Sequence, residues 1–191
     1  MVERSYGVIL YGPPAVGKDT VTRAMQELDP GYRLFARLKS GGGRTAGYRM
    51  VSGAELDEVR RRQDVVWENH RYGSVYVIDR PHLRRQLAEC VPVLHVGQPE
   101  AVVAVAGAVP ATWWTVVNLR CPWEVALSRI VDRRTGDVPD RVRAWHATPS
   151  LAGADVDIDT GVTSPSEAAS MIHMQVVRVR ELSGGAIRPM E

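Results

Sequence analysis

Nine consecutive residues carry the clearest chemistry in the chain: Gly12, Pro13, Pro14, Ala15, Val16, Gly17, Lys18, Asp19 and Thr20. They follow an apolar run, Tyr6 to Tyr11, and lead into helix-compatible sequence from Gly17 to Leu28. The glycines therefore fall at a strand-to-helix turn, the setting a phosphate-binding loop requires. Glycine lets successive backbone N–H groups converge on an oxyanion, and the helix N-terminus adds partial positive charge. Lys18 supplies a compact, flexible cation that can reach terminal phosphates, a task the wider guanidinium performs less well. The common spacing puts a hydroxyl directly after the lysine, whereas here Asp19 stands there and Thr20 follows. Thr20 is expected to bind magnesium directly or through water, and Asp19 either binds the ion or caps the helix. Of 24 Lys and Arg residues only Lys18 and Lys39 are lysine, so each raises the question of why it is not arginine.

The flanking elements must hold this loop in place. After the breaker Asp29-Pro30-Gly31, residues 32–78 read as short extended pieces, the glycine run 41–43, a polar helix over 52–62 and a hairpin turning at Arg71-Tyr72-Gly73. Asp79 caps a helix that has Pro81 in its first turn and runs to about Glu89. Strands follow at 92–96, 113–119 and 156–159, and helices at 99–109, 122–131, up to 147, and 164–182. Ser164, Pro165 and Glu167 form a capping box with proline at the first helical position. Strands alternating with helices imply an α/β fold, a mainly parallel sheet covered on both faces. Trp113 and Trp114 open a strand and read as core or edge packing.

With 191 residues, 45% hydrophobic and 24% charged, the chain has the balance of one globular domain. A net charge of +2 gives no field that argues for nucleic acid or an anionic membrane as partner. The longest apolar stretch, 101–111, is too short to span a bilayer and contains Gly107 and Pro110. Residues 1–10 lack a secretory pattern, and a cytoplasmic setting is expected. Cys90 and Cys121 cannot build a disulfide framework or a four-ligand zinc site by themselves. Arg60-Arg61-Arg62 reads as a solvated helix face without the aromatics of a single-strand binder. The five histidines show no metal-ligand spacing. His95 stands at the C-terminal end of a strand, where open α/β sheets bind ligands.

With the loop placed, the order and spacing from Tyr6 to Arg180 resemble the guanylate kinase-like P-loop nucleoside monophosphate kinases. The resemblance implies a single P-loop kinase domain over 1–183 with a tail at 184–191. It implies an inserted acceptor-binding lobe at about 32–78 and a lid at about 132–140. ATP with Mg2+ would lie on the core sheet, held by Gly12 to Thr20, with Asp159 passing under the adenine. Gly47 to Ser52 is similar to the family's Tyr-containing strand leading into a Ser-capped helix. Arg37, Lys39, Arg44 and Tyr48 would then clamp the phosphate of a small phosphorylated acceptor, cations giving charge and the phenol a directed hydrogen bond. Tyr76 and an acid, Asp64 or Glu68, would complete the acceptor site. Arg129, Arg134 and either Arg141 or Arg143 would stabilise the phosphoryl group in flight.

The implied activity is transfer of the ATP γ-phosphoryl group to a nucleoside monophosphate, GMP or dGMP. Guanylate kinases keep a carboxylate at the end of the strand at 92–96, but this chain has His95-Val96-Gly97 there. Its Gly-Lys-Asp-Thr also resembles the ribose 1,5-bisphosphate kinase branch, so a sugar phosphate or specialised nucleotide is the alternative acceptor. Non-catalytic binding modules of this type lose the phosphate loop, and this chain retains it.

Overall fold

Strand β1 (Ser5–Tyr11) sends alternate side chains into two different cores, and that alternation organises the molecule. Val8 and Leu10 point to one face, where Val21 and Met25 of α1 (Lys18–Leu28) and Ile172 and Val176 of α7 (Pro165–Gly184) cover them. Ile9 and Tyr11 point to the other, against Leu83 of α3 (Arg80–Glu89) and Ala101 and Val105 of α4 (Pro99–Ala108). The structure, a computed structural model, describes residues 5–134 and 136–184.

Beside β1 run β7 (Val91–Val96) and β8 (Thr112–Arg120), both parallel to it. β2 (Tyr32–Leu34) and β9 (Val156–Asp159) extend the sheet outward, giving the order β2-β7-β1-β8-β9 with every pairing parallel. Helices on both faces explain why these strands read as nearly continuous apolar runs. Gly7 is required by close approach, because an added Cβ would lie 2.2 Å from the ring of Trp114 on the neighbouring strand. Trp114 packs into the second core, while Trp113 is half exposed.

A second sheet carries the lobe, in the order β4-β3-β6-β5. It comprises β3 (Arg37–Ser40), β4 (Tyr48–Met50), β5 (Val65–Arg71) and β6 (Ser74–Asp79). Leu38 and Val77 on one face pack against Leu56 of α2 (Gly53–Arg61), leaving the opposite face for polar side chains. Ser52 and Glu55 form a reciprocal capping box at the start of α2. The expected lobe boundary at 32 is too early. Tyr32 is buried, bonds His173 through its hydroxyl at 3.0 Å, and belongs with β2 to the first sheet.

Asp79 caps α3 through the His82 N–H, and Ser164 and Glu167 cap α7 reciprocally, as the sequence predicts. Helix α7 runs on through Ser183 to Gly184; the rest of the expected tail lies outside the described residues. α5 (Trp123–Asp132) and α6 (Val138–His146) are joined by the segment expected to be the lid, and the rings of Trp123 and Trp145 meet at 4.8 Å to fix the two helices together. No helix among the described residues is long and apolar enough to cross a membrane.

Leu10 is fully buried beneath the phosphate loop, so Leu10→Ala is expected to cost about 2–5 kcal/mol in a denaturant melt. Val103→Ala, on an exposed face, is expected to stay within about 0.5 kcal/mol of wild type.

Candidate active site

The loop between β1 and α1 keeps its shape through backbone that most side chains avoid. Gly12 has φ +147°, and a Cβ there would come 2.5 Å from the Leu119 carbonyl oxygen on β8. Its N–H donates to the Val96 carbonyl at 3.2 Å, tying the loop to the end of β7. From behind, Thr160 donates its hydroxyl to the Val16 carbonyl at 2.7 Å. Arg129 grips the same junction, with Nη2 donating to the Thr160 carbonyl at 2.8 Å and Nη1 to Thr160 Oγ1 at 3.1 Å. Lys18 folds back over the loop and donates to the carbonyls of Gly12 and Pro13. Burial pushes its ammonium down to about 7; the Asp19 carboxylate opposes the shift, and Arg37, Arg133 and Arg71 add to it.

In front of the loop lies a cleft of about 480 Å³ whose far wall is the lobe. β3 has a period of two, so Arg37 and Lys39 share the face opposite buried Leu38. Both cations lie over the rings of Tyr48 and Tyr76, Arg37 at 5.7 and 5.2 Å and Lys39 at 5.5 and 5.6 Å from the ring centres. Lys39 also donates to the Gly42 and Arg44 carbonyls, and burial holds its ammonium below the usual range. Arg44 reaches across the cleft to Asp19, Nη1 to Oδ2 at 3.1 Å. At the end of β7, His95 lines the same space, bonded through Nε2 to Thr22 Oγ1 at 2.7 Å. Burial pushes its imidazole down to about 3, more than Asp19 pulls it up, so the ring is neutral at ordinary pH.

Loop residues and the lobe cations line one cleft, whereas several other residues singled out from the sequence do not. Gly12, Pro14, Ala15, Gly17, Lys18 and Asp19 line the cleft; Pro13 contributes its carbonyl to Lys18, and Val16 is buried in the core. Thr20 is exposed and lies outside the lining, since the residue that follows the lysine, Asp19, takes the inward position. Glu68 faces away from the acceptor space. Arg60 Nε bonds it at 3.0 Å and His70 lies at 3.0 Å, while its neighbour Asn69 takes the inward position. Asp64 does not line the cleft either. Arg129 supports the loop from behind rather than entering the cleft, as its bonds to Thr160 require.

Of the arginines expected in a lid, Arg134 and Arg143 lie outside the lining, and Arg143 is largely exposed and pairs with Asp140. Arg133 and Arg141 face inward instead, with Arg141 bonded to Asp137 at 2.7 Å and placed over the Tyr72 ring at 5.3 Å. Asp159 is spent on structure, accepting from Arg120 at 2.8 Å and from the Gly161 N–H at 2.9 Å.

Arg71, Tyr72, Asn69 and Gln98 line the cleft without having been singled out by sequence. With its amide oriented to satisfy both groups, Gln98 accepts from Arg71 Nη2 at 2.7 Å and thereby joins the lobe to the start of α4. For Asn69 and Arg71 the signal was the hairpin register. Once Glu68 pairs with Val77 and Asn69 with Tyr76, Asn69 and Arg71 share the Tyr76 face.

The architecture and the loop together define an α/β P-loop kinase fold. Among solved structures, the chain is similar to a guanylate kinase from Anaplasma phagocytophilum, with 13% identity, a TM-score of 0.60, and coverage of 94% of this chain and 87% of that one. It is also similar to a gluconokinase from Sinorhizobium meliloti 1021, with 17% identity, a TM-score of 0.55, and coverage of 97% and 100%. No protein-family model matches the chain. No curated protein matches it either.

The Lys18 value of about 7 sets a pH dependence for anion binding. A phosphate on the loop favours the ammonium, so the bound-state pKa is raised, and binding is strongest below pH 7. Between pH 7.5 and 9, where ADP phosphates are fully ionised, ADP affinity is expected to fall by up to about tenfold per pH unit. Lys18→Met is expected to flatten that slope in calorimetric titration.

Proposed function

We propose that the protein is an ATP-dependent phosphotransferase that moves the γ-phosphoryl group to a small phosphorylated acceptor. One observation carries the reading: a single cleft runs from the phosphate loop to a wall of cations and phenols on the lobe. Two phosphorylated molecules can meet end to end in such a cleft. The likeness of the fold to solved kinases supports the same reading.

Lys18 and the loop N–H groups would hold the β- and γ-phosphates of ATP. Arg37 and Arg44, with the phenols of Tyr48 and Tyr76, would fix the acceptor phosphate in line with them. Arg133 and Arg141 would neutralise charge on the phosphoryl group in flight, and lid closure would exclude water. No covalent enzyme intermediate is needed.

Among the described residues, no group of three or more His, Cys, Asp or Glu could hold a metal alone. Magnesium carried on nucleotide phosphates needs only one or two protein ligands, and the inward Asp19 carboxylate beside Lys18 fits that demand. Bound with ATP, the ion would offset the charge on the transferring phosphates.

The acceptor side favours a sugar phosphate or specialised nucleotide. Glu68 is engaged by Arg60 away from the cleft, and the neutral Asn69 takes the inward position, so no acid of the lobe is aimed at a base. Buried polar pairs of that kind are what give base selectivity. GMP or dGMP is the second reading, favoured by the order of elements and by the likeness in fold to guanylate kinase.

ADP release from Mg-ATP across GMP, dGMP, AMP, CMP, UMP and ribose 1,5-bisphosphate tests both. Turnover of the sugar phosphate is expected, reduced about 10²–10³-fold or more by Lys18→Ala. Turnover confined to GMP and dGMP would select the second reading, and an undiminished rate in Lys18→Ala would sink the mechanism.

A further inference from the structure

Arg44 and Asp19 bridge the cleft, one from the lobe and the other from the helix that follows the phosphate loop. Each is held in place. Arg44 ends the glycine run 41–43, which Lys39 fastens through the Gly42 and Arg44 carbonyls and Ser74 fastens through Gly42 at 3.2 Å. Gly41 lies against Ser74 so closely that a Cβ would come 2.5 Å from its Oγ. On the other side, Asp19 Oδ1 lies 3.5 Å from Nδ1 of His95, and Thr22 fixes that ring. His95 thus braces one oxygen of the carboxylate, and Arg44 Nη1 engages the other, Oδ2, at 3.1 Å.

Both partners would have a second use. Arg44 is among the cations lining the cleft, and on the kinase reading Asp19, directly after Lys18, would lie within reach of a metal carried on nucleotide phosphates. A carboxylate oxygen engaged by a guanidinium is less available to a hard divalent cation, so the pair and the metal compete.

We infer that Arg44 is a shared cation. It neutralises Asp19 while the acceptor is absent and passes to the acceptor phosphate when that arrives, freeing the carboxylate for the metal that accompanies the nucleotide. Acceptor and metal–nucleotide then bind synergistically, each raising affinity for the other by the same factor. The inference rests on the kinase reading. Because both side chains are partly exposed, at 49% and 40%, the effect is modest, roughly two- to five-fold.

The test is calorimetric titration of the full chain with the ATP analogue AMP-PNP, in Mg2+ and in chelator, on wild type, Arg44→Gln, Asp19→Asn and Arg37→Gln. The quantity read is the gain in affinity that Mg2+ confers. It is expected to rise roughly two- to five-fold in Arg44→Gln, to fall in Asp19→Asn, and to stay at the wild-type value in Arg37→Gln. Arg37→Gln removes the same charge from the lobe without touching Asp19. An unchanged gain in Arg44→Gln, or an equal rise in Arg37→Gln, would overturn the shared-cation inference while leaving the kinase reading in place. Absence of AMP-PNP binding to wild type in either condition would overturn both. Melting temperatures of the four proteins verify that each is folded.

Discussion

Like charge crowded into one cleft is the constraint that the rest of this structure answers. Among the described residues, seven cationic side chains and three carboxylates line it, and the cations arrive from the loop, the lobe and the segment between α5 and α6 with α6 itself. In a partly dehydrated space such charges repel one another, and contacts along the walls hold most of them in place. Lys18 bends onto its own loop carbonyls and loses proton affinity. Arg37 and Lys39 lie over the Tyr48 and Tyr76 rings, Arg44 pairs with Asp19, and Arg141 pairs with Asp137. On the proposed kinase reading, an entering polyanion would replace these internal arrangements with stronger charge-assisted bonds.

The fold exists in large part to bring those charges together without burying them irretrievably. β1 and β7 deliver the loop and His95 to the same end of a parallel sheet. The second sheet turns its apolar face to α2 and its cationic face to the loop. Arg129 and Thr160 fasten the loop from below, while the hydroxyl of Tyr11, at the end of β1, donates to the Pro149 carbonyl just beyond α6 and ties the lid side to the core. The loop is fastened to the parallel sheet, and the lobe is joined to the same sheet through Trp67 of β5 and Ile78 of β6, which pack into the second core.

Much of this was legible in the chain. Periodicity, proline and capping residues marked the elements, because strand alternation and helix caps are local physics. The loop was legible because its chemistry is contiguous. Glu68 was misread because a strand's two faces differ by one residue, and only pairing with β6 decides that Asn69 looks inward. Sequence left Arg141 and Arg143 as alternatives because a helix face is fixed by its packing, here the burial of Ala144 and the contact of the Trp145 ring with Trp123. Arg71 and Gln98 come from distant segments, and sequence spacing carries no signal for their meeting.

The most direct test of the central claim is a crystal structure of the protein with an ATP analogue and magnesium. The β- and γ-phosphates are expected inside the turn from Gly12 to Gly17, with Lys18 Nζ moved off the Gly12 and Pro13 carbonyls onto phosphate oxygen. A nucleotide bound elsewhere, or a Lys18 still bonded to both carbonyls beside a bound nucleotide, would contradict it.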